Sequence, residues 1–211
     1  MTTNTQKGIK DGRDHYFDSM NAISLRVGEY VLKKVAELEL KSRELKEMVE
    51  NLPKKRKDSP KIRANITYLV YRAFGGDKEI DQLIPAMALS ELTNCYAYLD
   101  NWIFDNKNNA LTDRTNINLI VAAGEVLREV TQQVIEELEV SDNTKREISR
   151  SLSRVNIGCY DGQALDFMTR IDESKEMSKE TFLQFYEERS RLLSGLMYGF
   201  SAELGARLAA N

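Results

Sequence analysis

Gln163 and Asp166 are the two residues whose types and spacing most strongly suggest chemistry in this sequence. They follow Gly162 in an apolar stretch, 157–167, whose pattern indicates a helix. Helical residues three apart lie on the same side, so the amide and the carboxylate should share a face. Buried polar groups without hydrogen-bond partners cost kilocalories, and both side chains therefore need a polar environment. We expect Gln163 and Asp166 to face a polar cavity, which in a helical protein is usually a functional site.

The elements that must position these residues are helices. All three prolines, Pro53, Pro60 and Pro85, lie in the first 85 residues, and apolar residues recur at spacings of three and four. We predict helices at about 14–50, 60–74, 78–107, 115–139, 143–172 and 178–209. No alternation of polar and apolar residues persists long enough to predict a strand. The predicted fold is all-α, an antiparallel helical bundle, and such helices can build a central pocket from inward side chains.

Local signals mark the ends of the second predicted helix. Ser59 is a good capping residue and Pro60 suits the first helical position, so the helix should start there. Gly75-Gly76 predicts its end. Because 211 residues can bury one good core, we predict a single helical domain at 14–211, preceded by an irregular or disordered segment at 1–13.

The composition argues against several classes of function. A net charge of -3 gives no general electrostatic reason to bind nucleic acid or an anionic membrane. The longest apolar run, near 119–123, is too short to span a bilayer, so no membrane span is expected. Residues 1–14 are polar and lack the apolar core of a signal peptide. Cys95 and Cys159 lie in apolar runs, as reduced core thiols do, and we expect a cytoplasmic protein.

The stretch around Gln163 also resembles a known motif. Residues 162–166 match the Gly-Gln-x-x-Asp motif of the trans-polyprenyl diphosphate synthases, which have the class I isoprenoid synthase fold. Residues 91–105 resemble the family's helix that runs from a Glu into its first Asp-rich motif, Asp-Asp-x-x-Asp. Three more stretches resemble Gly-Lys-x-x-Arg-Pro with its following Gly-Gly, Leu-Ala-Gly-Asp-Ala-Leu and Lys-Thr-Gly-Ala-Leu; they are 59–64 with 74–76, 120–127, and 193–197. All five occur in the family's order, so the resemblance implies the N-terminal two-thirds of that fold.

The resemblance implies a set of site residues. Its catalytic positions are Gln163 and Asp166. Its substrate-binding positions are Lys61, Arg63, Asn94, Tyr96, Arg114 and Ser194, and its magnesium-binding positions are Asp100, Asn101 and Asp105. In such enzymes helix carboxylates one turn apart hold Mg²⁺, and Lys or Arg side chains contact the diphosphate oxygens. Asp105 keeps the family's register, whereas Asp100 sits one residue early and Asn101 is an amide.

The sequence also departs from the family at positions where charge is needed. Pro60 and Leu193 stand where the family has lysines, and Trp102 stands at the second aspartate of the first Asp-rich motif. The family's second Asp-rich motif would lie beyond Asn211, as expected for a truncated or half-length synthase, or for one whose missing wall comes from another polypeptide. Each lost cation or metal ligand costs about 2–4 kcal/mol of transition-state stabilisation.

Three functions follow from the resemblance. The first is a prenyltransferase, in which Mg²⁺-assisted loss of diphosphate from an allylic prenyl diphosphate gives a carbocation that isopentenyl diphosphate attacks. The second is a non-catalytic or regulatory subunit of a heteromeric prenyl diphosphate synthase. The third is a terpene cyclase-like enzyme, which needs no isopentenyl diphosphate site. A helical scaffold without a ligand would leave Gln163 and Asp166 without a purpose.

Two further expectations follow from the family. A homo- or hetero-dimer should form through the helix around 115–139, since the family pairs its subunits helix on helix. Tyr96 lies about one turn below the metal position, where bulk limits the prenyl chain to about fifteen to twenty carbons. Alternatively, Tyr96 is a core residue whose hydroxyl bonds to a neighbouring helix.

Overall fold

The computed structural model of the chain describes residues 4–104, 117–168 and 177–211. Within these ranges all regular secondary structure is helical, and no strand occurs in them. The helices are α1 (Asn4–Ala36), α2 (Arg43–Arg56), α3 (Ile62–Ala73), α4 (Ile80–Phe104), α5 (Ile117–Glu137), α6 (Asp142–Met168), α7 (Lys179–Ser190) and α8 (Leu196–Ala209), with a π-helical turn at Arg191–Gly195. The all-α fold predicted from the sequence is confirmed.

Helix α4 lies at the centre of the bundle and packs against α1, α3 and α5. Its residues from 86 to 96 are buried around the whole circumference, and Met87, Leu89 and Leu92 are completely inaccessible. A helix that is apolar on all sides has to be surrounded by other helices. Burial of each large apolar side chain stabilises the fold by about 1.5–3 kcal/mol. Glu91 and Asn94 are polar residues buried in the same stretch, so both need partners from neighbouring helices.

Hydrogen bonds between side chains fix α3, α4 and α8 relative to one another. Thr67 on α3 donates its hydroxyl to the carbonyl oxygen of Ser201 on α8 at 2.9 Å. The hydroxyls of Ser201 and Ser90, on α4, are 3.0 Å apart. All three residues are buried, so these bonds are shielded from water. They hold together the helices that carry the candidate site.

The predicted first helix at 14–50 is wrong, because the chain forms two helices there. Helix α1 begins at Asn4, within the segment that we expected to be irregular, and ends at Ala36. Ser42 caps α2, since its hydroxyl oxygen accepts the N–H of Leu45 at 3.2 Å. A serine at the cap followed by an acid in the first turn is a helix-start signal, and it marks this second start.

Helix α3 begins later than Ser59-Pro60 predicts. It starts at Ile62 with Lys61 at its capping position, and the Ser59 hydroxyl donates to the carbonyl oxygen of Arg56 at 2.8 Å. The predicted end of this helix is confirmed. Gly75 has a φ of 83°, which lies in the left-handed region that glycine adopts without steric cost.

The predicted helix at 178–209 is interrupted by the π-helical turn at Arg191–Gly195. Ser178 caps α7 by accepting the N–H of Thr181 at 3.2 Å. A π-turn inserts an extra residue into the helical register, and such turns are frequent at functional sites. No periodicity in the sequence signals this insertion.

Two properties of the described residues bear on the environment of the chain. No helix among them is long and apolar enough to cross a membrane. Cys95 and Cys159 are both free, as expected, and burial raises the pKa of each thiol. A raised pKa leaves the unreactive thiol form dominant at neutral pH.

Gly205 allows α8 to contact α3 closely, and this contact predicts a stability effect. A Cβ atom at Gly205 would collide with the carbonyl oxygen of Thr67 and lie 2.9 Å from the backbone nitrogen of Tyr71. We expect Gly205→Ala to lower the free energy of unfolding by about 1–3 kcal/mol, since the helix backbones would have to separate. Urea denaturation monitored by circular dichroism measures the change.

Gly199 on the same helix is the matched control, because no heavy atom lies within 4 Å of a Cβ placed there. Gly199→Ala should stabilise the protein by about 1 kcal/mol through helix propensity alone. Equal effects of the two substitutions would contradict the close packing of α3 on α8.

Candidate functional site

The predicted site residues line one cavity of about 630 Å³. Its wall combines the segment before and at the start of α3, the second half of α4, the second half of α6, and the chain around the π-turn. Lys61, Arg63, Asn94, Tyr96, Asp100, Asn101, Gln163, Asp166 and Ser194 are all among its lining residues. Asp105 and Arg114 lie outside the described residues. Helices α4 and α6 therefore meet at this cavity, and Gln163 and Asp166 line it, as the sequence predicted.

One end of the cavity contains a buried ion pair between α2 and α4. Arg56 donates from Nε to Glu91 Oε1 at 2.8 Å and from Nη2 to Oε2 at 3.4 Å. The side chain of Glu91 is 6% exposed. The Arg56 guanidinium also lies 4.7 Å from the centre of the Tyr98 ring. Bidentate pairing and ring contact fix the orientation of this arginine.

Lys61 is buried behind this pair, and its ammonium group supports the chain between α2 and α3. Nζ donates to the carbonyl oxygens of Arg56 at 2.5 Å and Ser59 at 2.7 Å, and lies 3.9 Å from Glu91 Oε1. Burial lowers the pKa of this ammonium, and the nearby Glu91 carboxylate opposes the shift. Sequence reasoning assigned Lys61 to substrate, whereas its contacts in the structure are with the protein.

Arg63 has a donor that the protein leaves unpaired. Its Nη1 donates to Asn94 Oδ1 at 2.6 Å, and its guanidinium lies 4.9 Å from the centre of the Tyr198 ring. Its Nε is buried and has no hydrogen-bond partner among the described residues. An unmet buried donor on a charged group is costly. The guanidinium as a whole lines the cavity, so this end of the cavity offers a cationic group to an anion.

Tyr96 crosses from α4 to α6 and forms part of the cavity wall. Its hydroxyl donates to Asn156 Oδ1 at 2.7 Å, and the residue is 2% exposed. Burial raises the pKa of Tyr96 to about 12, so the hydroxyl stays protonated at neutral pH and remains a donor. The hydroxyl bonds to a neighbouring helix, as the second sequence interpretation of Tyr96 expects. Tyr96 also lines the cavity, and its effect on prenyl chain length stays a prediction.

Asp100 faces two donors on other helices. The Tyr160 hydroxyl donates to Asp100 Oδ2 at 2.6 Å, and Arg128 Nη2 lies 3.5 Å from the same oxygen. The Arg128 guanidinium lies 4.9 Å from the centre of the Tyr96 ring and 5.5 Å from that of Tyr160. Burial raises the pKa of Asp100, while the Tyr160 hydrogen bond and the Arg128 charge oppose the shift.

Sequence reasoning missed Arg128. It belongs to none of the matched motifs, because it lies on α5 beside the 120–127 stretch. The sequence feature that could have identified Arg128 is its position between Leu127 and Val130, which are buried positions of an amphipathic helix. A cation beside such positions needs a carboxylate partner from inside the bundle.

Gln163 and Asp166 lie where α6 meets the π-turn. Gln163 is 9% exposed and makes no hydrogen bond to a described residue, although it lines the cavity. Asp166 accepts a hydrogen bond from Nε of Arg189, which comes from the end of α7 and also lines the cavity. Gly162 allows α6 to pack closely against the π-turn, because a Cβ atom at Gly162 would lie 2.6 Å from Cβ of Leu192.

The described residues do not form a magnesium site by themselves. They contain no cluster of three His, Cys, Asp or Glu side chains that could hold a metal ion. Asp100, which the sequence assigned to magnesium binding, and Asp166, which it assigned to catalysis, each have an arginine as partner. Asn101 is exposed at the cavity wall. The predicted ligand that keeps the family's register, Asp105, lies outside the described residues.

Comparisons with known proteins identify the fold. No protein-family model matches the chain, and no curated protein matches it by sequence. The structure is similar to a geranylgeranyl pyrophosphate synthetase from Pyrococcus horikoshii, with a TM-score of 0.75 and 17% identity over 94% of this chain and 58% of that one. It is also similar to the geranylgeranyl pyrophosphate synthetase of Geoglobus acetivorans, with a TM-score of 0.72, 18% identity, and coverage of 90% and 60%.

A synthase from Zymomonas mobilis, described as an FPP/GFPP synthase, gives a TM-score of 0.73 and 14% identity over 92% of this chain and 70% of that one. The chain spans about three-fifths of the length of the first two of these structures. Identities this low establish architecture and not activity. The chain has the all-α isoprenoid synthase fold of the trans-polyprenyl diphosphate synthases, as its motifs predicted.

Proposed function

We propose that this prenyltransferase-type protein binds isoprenoid diphosphates in the 630 Å³ cavity, with the diphosphate at the Arg63 end and the prenyl chain directed towards Tyr96. The observation that carries the proposal is the half-buried guanidinium of Arg63, a cationic group that lines the cavity and is held in place by the hydrogen bond from its Nη1 to Asn94 Oδ1. Arg63 also occupies the position of the family's diphosphate-binding arginine. Its partner Asn94 holds it towards the cavity.

The remaining wall supports the same orientation. Ala97 and Met197 add apolar surface, and Phe104 lies edge-on to Tyr160 with ring centres 6.5 Å apart. A wall that combines the cationic group of Arg63 with aromatic and apolar surface fits an amphiphilic ligand that has an anionic head. The first activity to test is condensation of an allylic prenyl diphosphate with isopentenyl diphosphate. Magnesium assistance stays a sequence prediction that depends on Asp105.

A second candidate is a non-catalytic subunit of a heteromeric synthase. The pairing of Asp100 with Arg128 and of Asp166 with Arg189 favours it, because those carboxylates are occupied. Incubation with geranyl or farnesyl diphosphate, with and without isopentenyl diphosphate and magnesium, separates the candidates. A longer prenyl diphosphate marks a transferase, and a hydrocarbon formed from one substrate marks a cyclase. Binding without turnover marks the non-catalytic subunit.

The family resemblance also supports a proposal of dimerisation through α5, as homo- or hetero-dimer. The outward side of α5 has two large exposed apolar residues, Ile117 and Val121, near its start. The rest of that side carries Glu125, Glu129 and other polar residues. An interface there would therefore be apolar at one end and polar at the other.

Substitution of Arg63 tests the proposed position of the diphosphate. Arg63→Gln should weaken the binding of inorganic pyrophosphate and geranyl diphosphate by about 10- to 100-fold, the equivalent of one charge-assisted hydrogen bond. Isothermal titration calorimetry measures both ligands. Arg72→Gln is the matched control, since Arg72 is exposed on the same helix and lines a separate cavity between α1 and α3. Equal losses in the two variants would place the diphosphate elsewhere.

Substitution of Tyr96 tests the proposed position of the prenyl chain. Tyr96→Ala should shift binding towards longer prenyl diphosphates, or lengthen the product if the protein is active, because it opens the wall between α4 and α6. Tyr96→Phe removes the hydroxyl bond to Asn156 and keeps the ring, so it should preserve the chain-length preference. Competition among geranyl, farnesyl and geranylgeranyl diphosphates measures it. An unchanged preference in Tyr96→Ala would mean that the floor of the cavity lies elsewhere.

A further inference from the structure

Two acids of the cavity wall, the predicted metal ligand Asp100 and the predicted catalytic residue Asp166, are each paired with an arginine from another helix. Asp100 on α4 pairs with Arg128 on α5, and Asp166 on α6 pairs with Arg189 at the end of α7. A carboxylate that serves a divalent cation needs its oxygens available to the metal. Both acids instead have a permanent cation as partner.

The Asp100 pair is embedded in a rigid cluster. Arg128 lies between the rings of Tyr96 and Tyr160, at 4.9 and 5.5 Å from their centres. Tyr160 donates to the same Asp100 oxygen at 2.6 Å that Arg128 approaches at 3.5 Å. Arg128 Nε is already buried without a hydrogen-bond acceptor in the described part of the chain. Moving Asp100 onto a metal would remove the inner of the two carboxylates that pair with this half-buried guanidinium and would leave it only the exposed Glu125, at 3.0 Å. Losing the less exposed partner of a partly buried pair costs free energy.

The charge balance of the cavity favours an anion without added metal. Its described lining includes four cationic and three acidic side chains, namely Arg56, Lys61, Arg63 and Arg189 against Glu91, Asp100 and Asp166. Behind the Asp100 part of the wall, Arg128 is accompanied by Glu125, its other carboxylate partner, so these two residues add no net charge. A site that relies on metal cations to hold diphosphate needs an excess of carboxylates, and the part of the lining that the structure describes has the opposite excess.

We propose that Arg128 and Arg189 occupy the carboxylates of this cavity permanently, so that the protein binds diphosphate through its arginines without a divalent metal ion on Asp100 or Asp166. The inference rests on the proposed function, since it concerns the same ligand in the same cavity. It assigns Arg128 a positioning role, because Arg128 acts through Asp100 and the two tyrosines.

Calorimetry with inorganic pyrophosphate tests the proposal, once in EDTA and once in millimolar MgCl₂. The unmutated protein should bind in EDTA, and the ratio of its affinities in MgCl₂ and EDTA should agree within about threefold with the ratio in Asp100→Asn and Asp166→Asn, since neither acid serves as a magnesium ligand. Asp100→Asn should raise the affinity in EDTA by about two- to fivefold, because it removes a negative charge near the ligand. Asp166→Asn should change it in the same direction.

Glu125→Gln is the matched control. It removes the other acid that pairs with Arg128, at 3.0 Å, but Glu125 is exposed outside the cavity and should leave the affinity unchanged. Thermal melting of each variant shows that it is folded, and Asp166→Asn carries the test if Asp100→Asn is unfolded.

Different outcomes contradict the binding of diphosphate without a metal on these acids and the binding of diphosphate itself. Binding that appears or strengthens more than tenfold with magnesium, and loses that gain in Asp100→Asn or Asp166→Asn, overturns this inference while leaving diphosphate binding intact. Absence of binding in both conditions overturns the proposed function itself.

Discussion

The burial of α4 on all sides is the constraint on which the rest of the structure depends. Between residues 86 and 96 this helix is enclosed by other helices, so the polar side chains of Glu91 and Asn94 need partners there, as does the half-buried Asp100 one turn further on. Three arginines meet this need from three directions. Arg56 on α2 pairs with Glu91, Arg63 on α3 with Asn94, and Arg128 on α5 with Asp100. The same contacts that stabilise the central helix surround the cavity with positive charge.

This arrangement makes stability and ligand binding interdependent. The carboxylates of α4 compensate Arg56 and Arg128 in the absence of ligand, whereas the guanidinium of Arg63, which lines the cavity, is held there by the neutral amide of Asn94. Such pre-organised donors bind an anion without the cost of reorganising the site. The Tyr96 bond to Asn156 then links α4 to α6, so the wall against which a prenyl chain would lie is held from both sides.

The sequence was sufficient to predict the fold and those cavity-lining residues that belong to motifs occurring in the family's order. Helical periodicity and the Gly-Gln-x-x-Asp stretch predicted the bundle, and Arg63, Asn94, Gln163 and Asp166 do line one cavity. It was not sufficient for pairs that tertiary packing creates, such as Asp100 with Arg128, which are 28 residues apart on different helices. The break after Ala36 and the π-turn were missed for a related reason. Helical periodicity continues across both, and local capping or packing decides where the helix is interrupted.

The most direct test of the central claim is a crystal structure of the protein grown with inorganic pyrophosphate. We predict a phosphate oxygen within hydrogen-bond distance of the Arg63 guanidinium, with Arg56 still paired to Glu91 and Asp100 still bonded to Tyr160. Pyrophosphate bound outside the cavity would contradict this prediction. So would a metal ion coordinated by Asp100 between the protein and the phosphate.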